Sequence, residues 1–171
     1  NKYWWHRTYW QYGESMGGGY HGWHLAGNRN PAGRLLVFDD DTFYGFGRMD
    51  YDKRQGGHPS KVGPAYRLFA QPRMTESEVK EAQKKARRSR NDGEKRYAWT
   101  VQLPFFVRAM VLAGDQLHVI GPSDLSAVEP EIQTGAGAHL WTISTEDGSS
   151  THKAELDAPP VFDGMAAAGN R

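Results

Sequence analysis

Ala109-Met110-Val111-Leu112-Ala113-Gly114-Asp115-Gln116-Leu117-His118-Val119-Ile120-Gly121 decides the fold. An apolar run climbs to a Gly-Asp turn, and the return alternates Leu117 and Val119 with His118, which is the pattern of two antiparallel strands joined by a tight turn. The same phrase stands upstream. Leu35-Leu36-Val37-Phe38 is an apolar run, Asp39-Asp40-Asp41 a polar turn, and Thr42-Phe43-Tyr44-Gly45-Phe46-Gly47 the returning strand. Placing Asp41 on Asp115 sets Leu36 over Met110, Val37 over Val111, Phe38 over Leu112, Phe43 over Leu117 and Gly47 over Gly121. Gly164-Met165-Ala166-Ala167-Ala168-Gly169-Asn170-Arg171 begins the phrase a third time and carries only a first strand and its turn. A recurring hairpin marks a repeat architecture, and an interrupted copy predicts a piece of something longer.

Composition narrows the class. A chain of 171 residues fits one folding unit or part of one. Charged residues at 24% and a formal net charge of +1 give no global electrostatic case for nucleic acid or for an anionic membrane. Twenty glycines and nine prolines predict many turns, while 12% aromatic residues supply bulk in place of long aliphatic runs. There is no cysteine, which excludes disulfides, thiolate metal sites and cysteine nucleophiles. No apolar stretch approaches the roughly 20 residues that cross a bilayer. The opening residues Asn1-Lys2-Tyr3-Trp4-Trp5 do not read as a secretory leader.

Outward from the hairpins, Tyr3 to Tyr12 is rich in aromatics suited to a pleated, half-buried surface and predicts a strand or two. Gly17-Gly18-Gly19, Tyr20-His21-Gly22-Trp23-His24 and Gly27 to Gly33 read as loops with aromatics held between glycines. Between the two complete hairpins lies an insertion of different character. Thr75-Glu76-Ser77-Glu78 has capping-box spacing, so a helix is expected from about Glu76 to Arg90, ended by Asn91-Asp92-Gly93. Tyr97 to Leu103 then predicts a strand. His139 to Ser144 predicts another, followed by a turn at Thr145-Glu146-Asp147-Gly148 and a strand at Lys153-Ala154-Glu155-Leu156. Trp99-Thr100-Val101 and Trp141-Thr142-Ile143 therefore read as the openings of successive units. In radial repeats bulky residues recur at one position per blade, a role that Trp99 and Trp141 fit.

These residues resemble the quinoprotein-like, or PQQ-like, β-propeller repeat proteins. Leu140 to Gly148, followed by Pro159-Pro160-Val161-Phe162-Asp163-Gly164 and Ala168-Gly169-Asn170, looks like one of their blades, and Trp99 to Gly121 looks like another. More narrowly, His6-Arg7-Thr8-Tyr9-Trp10, Gly33 to Asp40 and Tyr44-Gly45-Phe46-Gly47 resemble the large multidomain propeller proteins of planctomycete-like bacteria. The resemblance implies an all-β fold of propeller blades, a partial propeller with one inserted charged helix, and an extracytoplasmic location. It does not carry over the calcium, quinone and Asp base of the quinone-dependent dehydrogenases, which match no positions here. Cofactors stay unassigned.

Several groups invite chemistry. His21 and His24, with His6 nearby in sequence, suggest a metal site, although a third ligand is not signalled and hydrogen-bonded histidines at a sheet edge explain them better. Asp39-Asp40-Asp41 lacks the remainder of a calcium loop and reads as a solvated turn. Glu14 to Gly19 lacks the Lys-Ser/Thr ending of a phosphate loop. The aromatics Trp4, Trp5, Tyr9, Trp10, Tyr20 and Trp23 pack between blades or form a platform for sugars, planar ligands or cations. The basic helix reads as a solvated insertion.

The expectation is a single propeller segment over residues 1–171, with a helical insertion at about 74–92 and an incomplete C-terminal end. Its expected role is a non-catalytic binding or interaction scaffold. Its ligand would meet Trp10, Tyr20, His21, Trp23 and His24. Partners would be protein, carbohydrate or the remainder of its own propeller, without nucleic acid or a membrane-spanning segment. A quinoprotein-like oxidoreductase and a carbohydrate-binding module that uses the N-terminal aromatics are the alternatives.

Overall fold

The computed structural model describes residues 10–12, 30–49, 66–88, 96–122, 137–158, 160–161 and 163–168. Strands β1 (Trp10–Gln11) and β2 (Ala32–Gly33) form a short antiparallel pair, so part of the glycine-rich stretch expected as loop is a buried strand. Strands β3 (Leu35–Phe38), β4 (Thr42–Arg48), β5 (Tyr66–Pro72) and β6 (Trp99–Val101) make a four-stranded sheet, with helix α1 (Glu76–Arg88) between β5 and β6. Strands β7 (Ala109–Ala113), β8 (Gln116–Pro122), β9 (Ala138–Ser144) and β10 (Ser150–Leu156) make a second four-stranded sheet. Both are antiparallel meanders in chain order, and neither closes on itself. Among the described residues the fold is all-β with one helix. No helix among the described residues is long and apolar enough to cross a membrane.

The two hairpins share one register. Phe38 pairs with Phe43 and Leu36 with Gly45, while Leu112 pairs with Leu117 and Met110 with Val119. Even the bond that extends each hairpin is repeated, with the Arg34 N–H donating to the Phe46 carbonyl at 2.7 Å and the Arg108 N–H to the Ile120 carbonyl at 2.8 Å. The turns differ in chemistry. Gly114 adopts φ 61°, as a two-residue hairpin turn demands. In the first hairpin the Asp39 carboxylate holds the turn instead, accepting the N–H groups of Asp41 and Thr42 at 2.9 and 2.7 Å.

Strand alternation decides what each sheet buries. In the first sheet Leu35, Phe46, Leu68 and Val101 form one row and Val37, Tyr44, Ala70 and Trp99 the next, all turned to one face. In the second, Met110, Val119 and Trp141 form one row and Leu112, Leu117 and Ile143 the next. These two faces share a single core, with Phe105, Phe106 and Val107 of the connecting segment inserted between them. Phe106 meets Phe46 edge-on at 5.2 Å and Phe105 meets Trp141 edge-on at 5.5 Å. Each side chain so buried contributes about 1.5–3 kcal/mol. The indole N–H of Trp99 donates to the Thr145 carbonyl at 2.9 Å, tying β6 to the turn that joins β9 and β10.

The sheets do not pack through equivalent faces. Met110 and Leu112 look into the shared core, whereas their counterparts Leu36 and Phe38 alternate with core residues Leu35 and Val37 and point to the other side of the first sheet. One unit thus sets its far face on the near face of the next, a head-to-tail relation rather than a two-fold one. The first strands of the two sheets, β3 and β7, lie side by side.

Three expectations change. Trp99 and Trp141 do not open successive units: Trp99 lies on the fourth strand of the first sheet and Trp141 on the third strand of the second. The boundary falls instead at the buried segment before β7, because Phe105 and Phe106 fill the space between sheets. Second, residues 164–168 form no strand. Their three alanines offer little to bury, and Met165 alone packs on Ala109, Ile120 and Ala138, on the face of the second sheet opposite the shared core. Third, β5 belongs to the first sheet, although no element is expected from sequence at Tyr66–Pro72, just ahead of the helical insertion at about 74–92. The capping box forms as expected. The Thr75 N–H donates to Glu78 Oε2 at 2.8 Å and the Glu78 N–H reaches Thr75 Oγ1 at 3.4 Å; the bond from the Thr75 N–H, followed by the one from the Thr75 hydroxyl to Glu78 Oε2 at 2.9 Å, holds the Glu78 carboxyl below its ordinary range.

Candidate functional site, an aromatic cleft

β1 is placed by its pairing with β2, Trp10 opposite Gly33 and Gln11 opposite Ala32, and the Tyr12 N–H continues the ladder to the Pro31 carbonyl at 3.0 Å. Trp10 and Tyr12 stand two residues apart on an extended chain and so share a side. Tyr12 meets the end of the first hairpin. Tyr12 lies 4.6 Å from Phe43 and 6.0 Å from Phe38, and Phe38 lies 5.5 Å from Phe43, all centroid to centroid with tilted planes. Such offset ring contacts each contribute roughly 0.5–1.5 kcal/mol beyond burial.

Arg73, just past β5, braces this group. One guanidinium nitrogen donates to the Tyr12 hydroxyl at 3.0 Å and another reaches the Asp40 carbonyl at 3.3 Å, while its carbon lies 5.6 Å from the Tyr12 ring centre and 6.0 Å from that of Phe43. Beneath the hairpin turn, the Tyr44 hydroxyl donates to Asp39 Oδ2 at 3.2 Å. Burial, followed by the Asp39 charge, raises the Tyr44 phenol above its ordinary value.

Along the edge of β3 these side chains bound a cavity of about 290 Å³, lined by Trp10, Tyr12, Leu36, Phe38, Phe43 and Asp163 among others. Trp10, Tyr12 and Phe38 are 62%, 42% and 56% exposed, so aromatic surface is presented to solvent rather than packed away. Met110 of β7 also reaches the cavity, which therefore depends on how the sheets pack. Among the described residues, Asp163 supplies the one acidic side chain of the lining. It is held in a left-handed conformation, φ 53°, with its N–H donating to the Arg108 carbonyl at 2.8 Å. Non-glycine residues there are uncommon, although Asp and Asn tolerate it better than most.

Of the residues expected to meet a ligand, Trp10 lines this cleft, and Tyr20, His21, Trp23 and His24 lie outside the described residues, as do His6 and the Glu14–Gly19 stretch. The Asp39 carboxylate is occupied by two backbone N–H groups and the Tyr44 hydroxyl, consistent with its reading as a turn. No cluster of three metal-ligating side chains occurs among the described residues. Tyr12, Phe38, Phe43 and Asp163 were not signalled in sequence as site residues. Tyr12 stood within the aromatic run, but only tertiary pairing brings it to the end of the first hairpin.

Comparison of the chain with protein-family models, with curated proteins and with solved structures gives no match.

Proposed function

We propose that the chain forms two consecutive blades of a β-propeller and serves as a non-catalytic binding scaffold, with the aromatic cleft as its ligand contact. The observation that carries this is the head-to-tail stacking of two sequential four-stranded meanders with β3 beside β7. Heterologous packing of like units generates rings where the rotation closes, and radial repetition of four-stranded sheets is the propeller solution. Met165 supports the same step: its counterpart Met110 sits against the first sheet, and Met165 sits against the face of the second opposite the shared core. The binding role is supported by exposed ring surface around a concave, mostly apolar space, the usual character of a ligand site.

The test is a saturation-transfer NMR screen of a small-molecule library against the full chain and its Trp10→Ala and Phe38→Ala variants, with thermal unfolding as the folding control. Ligands that bind the parent chain and lose their signal in both folded variants support the cleft. A set of hits indifferent to both substitutions would remove it.

A further inference from the structure

We propose that the cleft takes a small organic cation whose nitrogen is methylated, with the faces of Trp10 and Phe38 meeting its methyl groups and Asp163 balancing its charge. This deepens the binding role of the cleft and rests on it. Size is the first reason. A volume of about 290 Å³ lies at the small end of ligand sites, which run from roughly 300 to 1,000 Å³, so a compact head group fits better than an oligosaccharide.

Polarity is the second. Leu35, Leu36, Val37 and Met110 line the cavity, and the side chains that offer hydrogen bonds are Trp10, Gln11, Tyr12 and Asp163. The Tyr12 hydroxyl already accepts from Arg73. A sugar would leave several hydroxyls facing hydrocarbon, and burying such groups without partners costs roughly 1–3 kcal/mol each. A quaternary, fully methylated ammonium has no N–H to satisfy and presents an apolar, weakly hydrated surface.

Charge is the third. Rings attract cations through their faces, with Trp the strongest, within about 6 Å of the centroid. Arg73 reaches Tyr12 and Phe43 only near that limit, and no cation is placed over Trp10 or Phe38 among the described residues. Among the described residues the lining adds one carboxylate and no basic side chain, the Arg73 guanidinium standing over Tyr12 and Phe43 outside it, so the side chains of the lining itself favour a positive ligand.

The probes are choline and its neutral isostere 3,3-dimethyl-1-butanol, titrated by calorimetry into the full chain and into Trp10→Ala and Asp163→Asn; Asn keeps the left-handed backbone accessible. Choline should bind at least about fivefold more tightly than the isostere. Asp163→Asn should weaken choline roughly two- to fivefold, as for an exposed ion pair, and leave the isostere unchanged. Trp10→Ala should weaken both. Equal affinity for choline and isostere, lost in Trp10→Ala, would overturn the cation while leaving the cleft as a binding site. Failure of both to bind would overturn the cation, and the cleft itself would then stand or fall on the library screen. Self-association abolished by Trp10→Ala would assign the rings to a second copy of the chain and overturn the proposal.

Discussion

Phe38 with Phe43, and Leu112 with Leu117, close the same hairpin at the same register position, yet they face different surroundings. In the second sheet this position packs into the core between sheets, where Leu117 is fully buried. In the first it carries Tyr12 over Phe43 and leaves Phe38 more than half exposed. A repeated unit fixes which residues pair, while the element laid over each face fixes what those residues do. Near the second sheet that element is another sheet with Phe105 and Phe106 wedged beside it. Near the first it includes the two-residue strand β1, which brings rings but does not cover the edge of β3.

The largest expected effect sits where the second unit meets the wedge. A Cβ at Gly121 would lie 1.8 Å from the Phe106 carbonyl oxygen, a backbone atom that cannot swing aside. Gly121→Ala should cost about 4 kcal/mol or more in urea unfolding, in the class of severe overpacking. A cost near 1 kcal/mol would mean that the wedge does not approach β8 as described. The equivalent pair comes next. Leu112→Ala should lose roughly 2 kcal/mol, toward the lower end for a partly buried leucine, whereas Phe38→Ala should lose about 1 kcal/mol, the low end for its two ring contacts, and fall mainly on ligand binding. Equal costs would erase the difference between the two faces.

The turns give smaller effects of similar size from opposite causes. Gly114 has no atom within 4 Å of where a Cβ would stand, so Gly114→Ala should cost about 1 kcal/mol through backbone conformation alone. Asp39→Ala should also cost about 1 kcal/mol, by removing a carboxylate that satisfies two N–H groups. It should lower the Tyr44 phenol in a spectrophotometric titration, since the Asp39 charge and the bond to it help raise that group. Gly114→Ala should leave Tyr44 unmoved.

The smallest effect lies outside both sheets. The Glu78 carboxyl is depressed in the folded chain, first by the Thr75 N–H and then by the Thr75 hydroxyl. A depressed carboxyl adds stability that is fully present above its unfolded value and is lost as pH falls through the folded one. Amide shifts at Thr75 and Glu78 should therefore report loosening of the first turn of α1 only below the ordinary glutamate range, and Glu78→Gln should abolish that step.

Much of this fold was legible in sequence because strand alternation and turn residues are local signals. The hairpins, their shared register, the capping box and the Lys153 to Leu156 strand all follow from such signals. β5 was not, since Tyr66–Pro72 repeats neither strand of the hairpin phrase and is defined by pairing across to β4 and β6. Trp-Thr-Val and Trp-Thr-Ile misled because a shared tripeptide says that a residue is bulky and strand-forming, not which strand of a sheet it occupies. At the site, Trp10 stood among the aromatics read either as packing between blades or as a ligand platform. Asp163 did not, because it joins the cleft only through the bond of its backbone to Arg108.

Head-to-tail packing of the two sheets underlies both the repeat and the cleft, and one contact reports on it directly. A Cβ at Gly148 would stand 2.7 Å from Cε3 of Trp99, so the Gly148 α-protons lie against the face of an indole that belongs to the other sheet. A NOESY spectrum of the full chain should show cross-peaks between the Gly148 α-protons and the Trp99 ring, with at least one α-proton shifted upfield by the ring current. Unshifted Gly148 α-protons without those cross-peaks would contradict the packing of the two units.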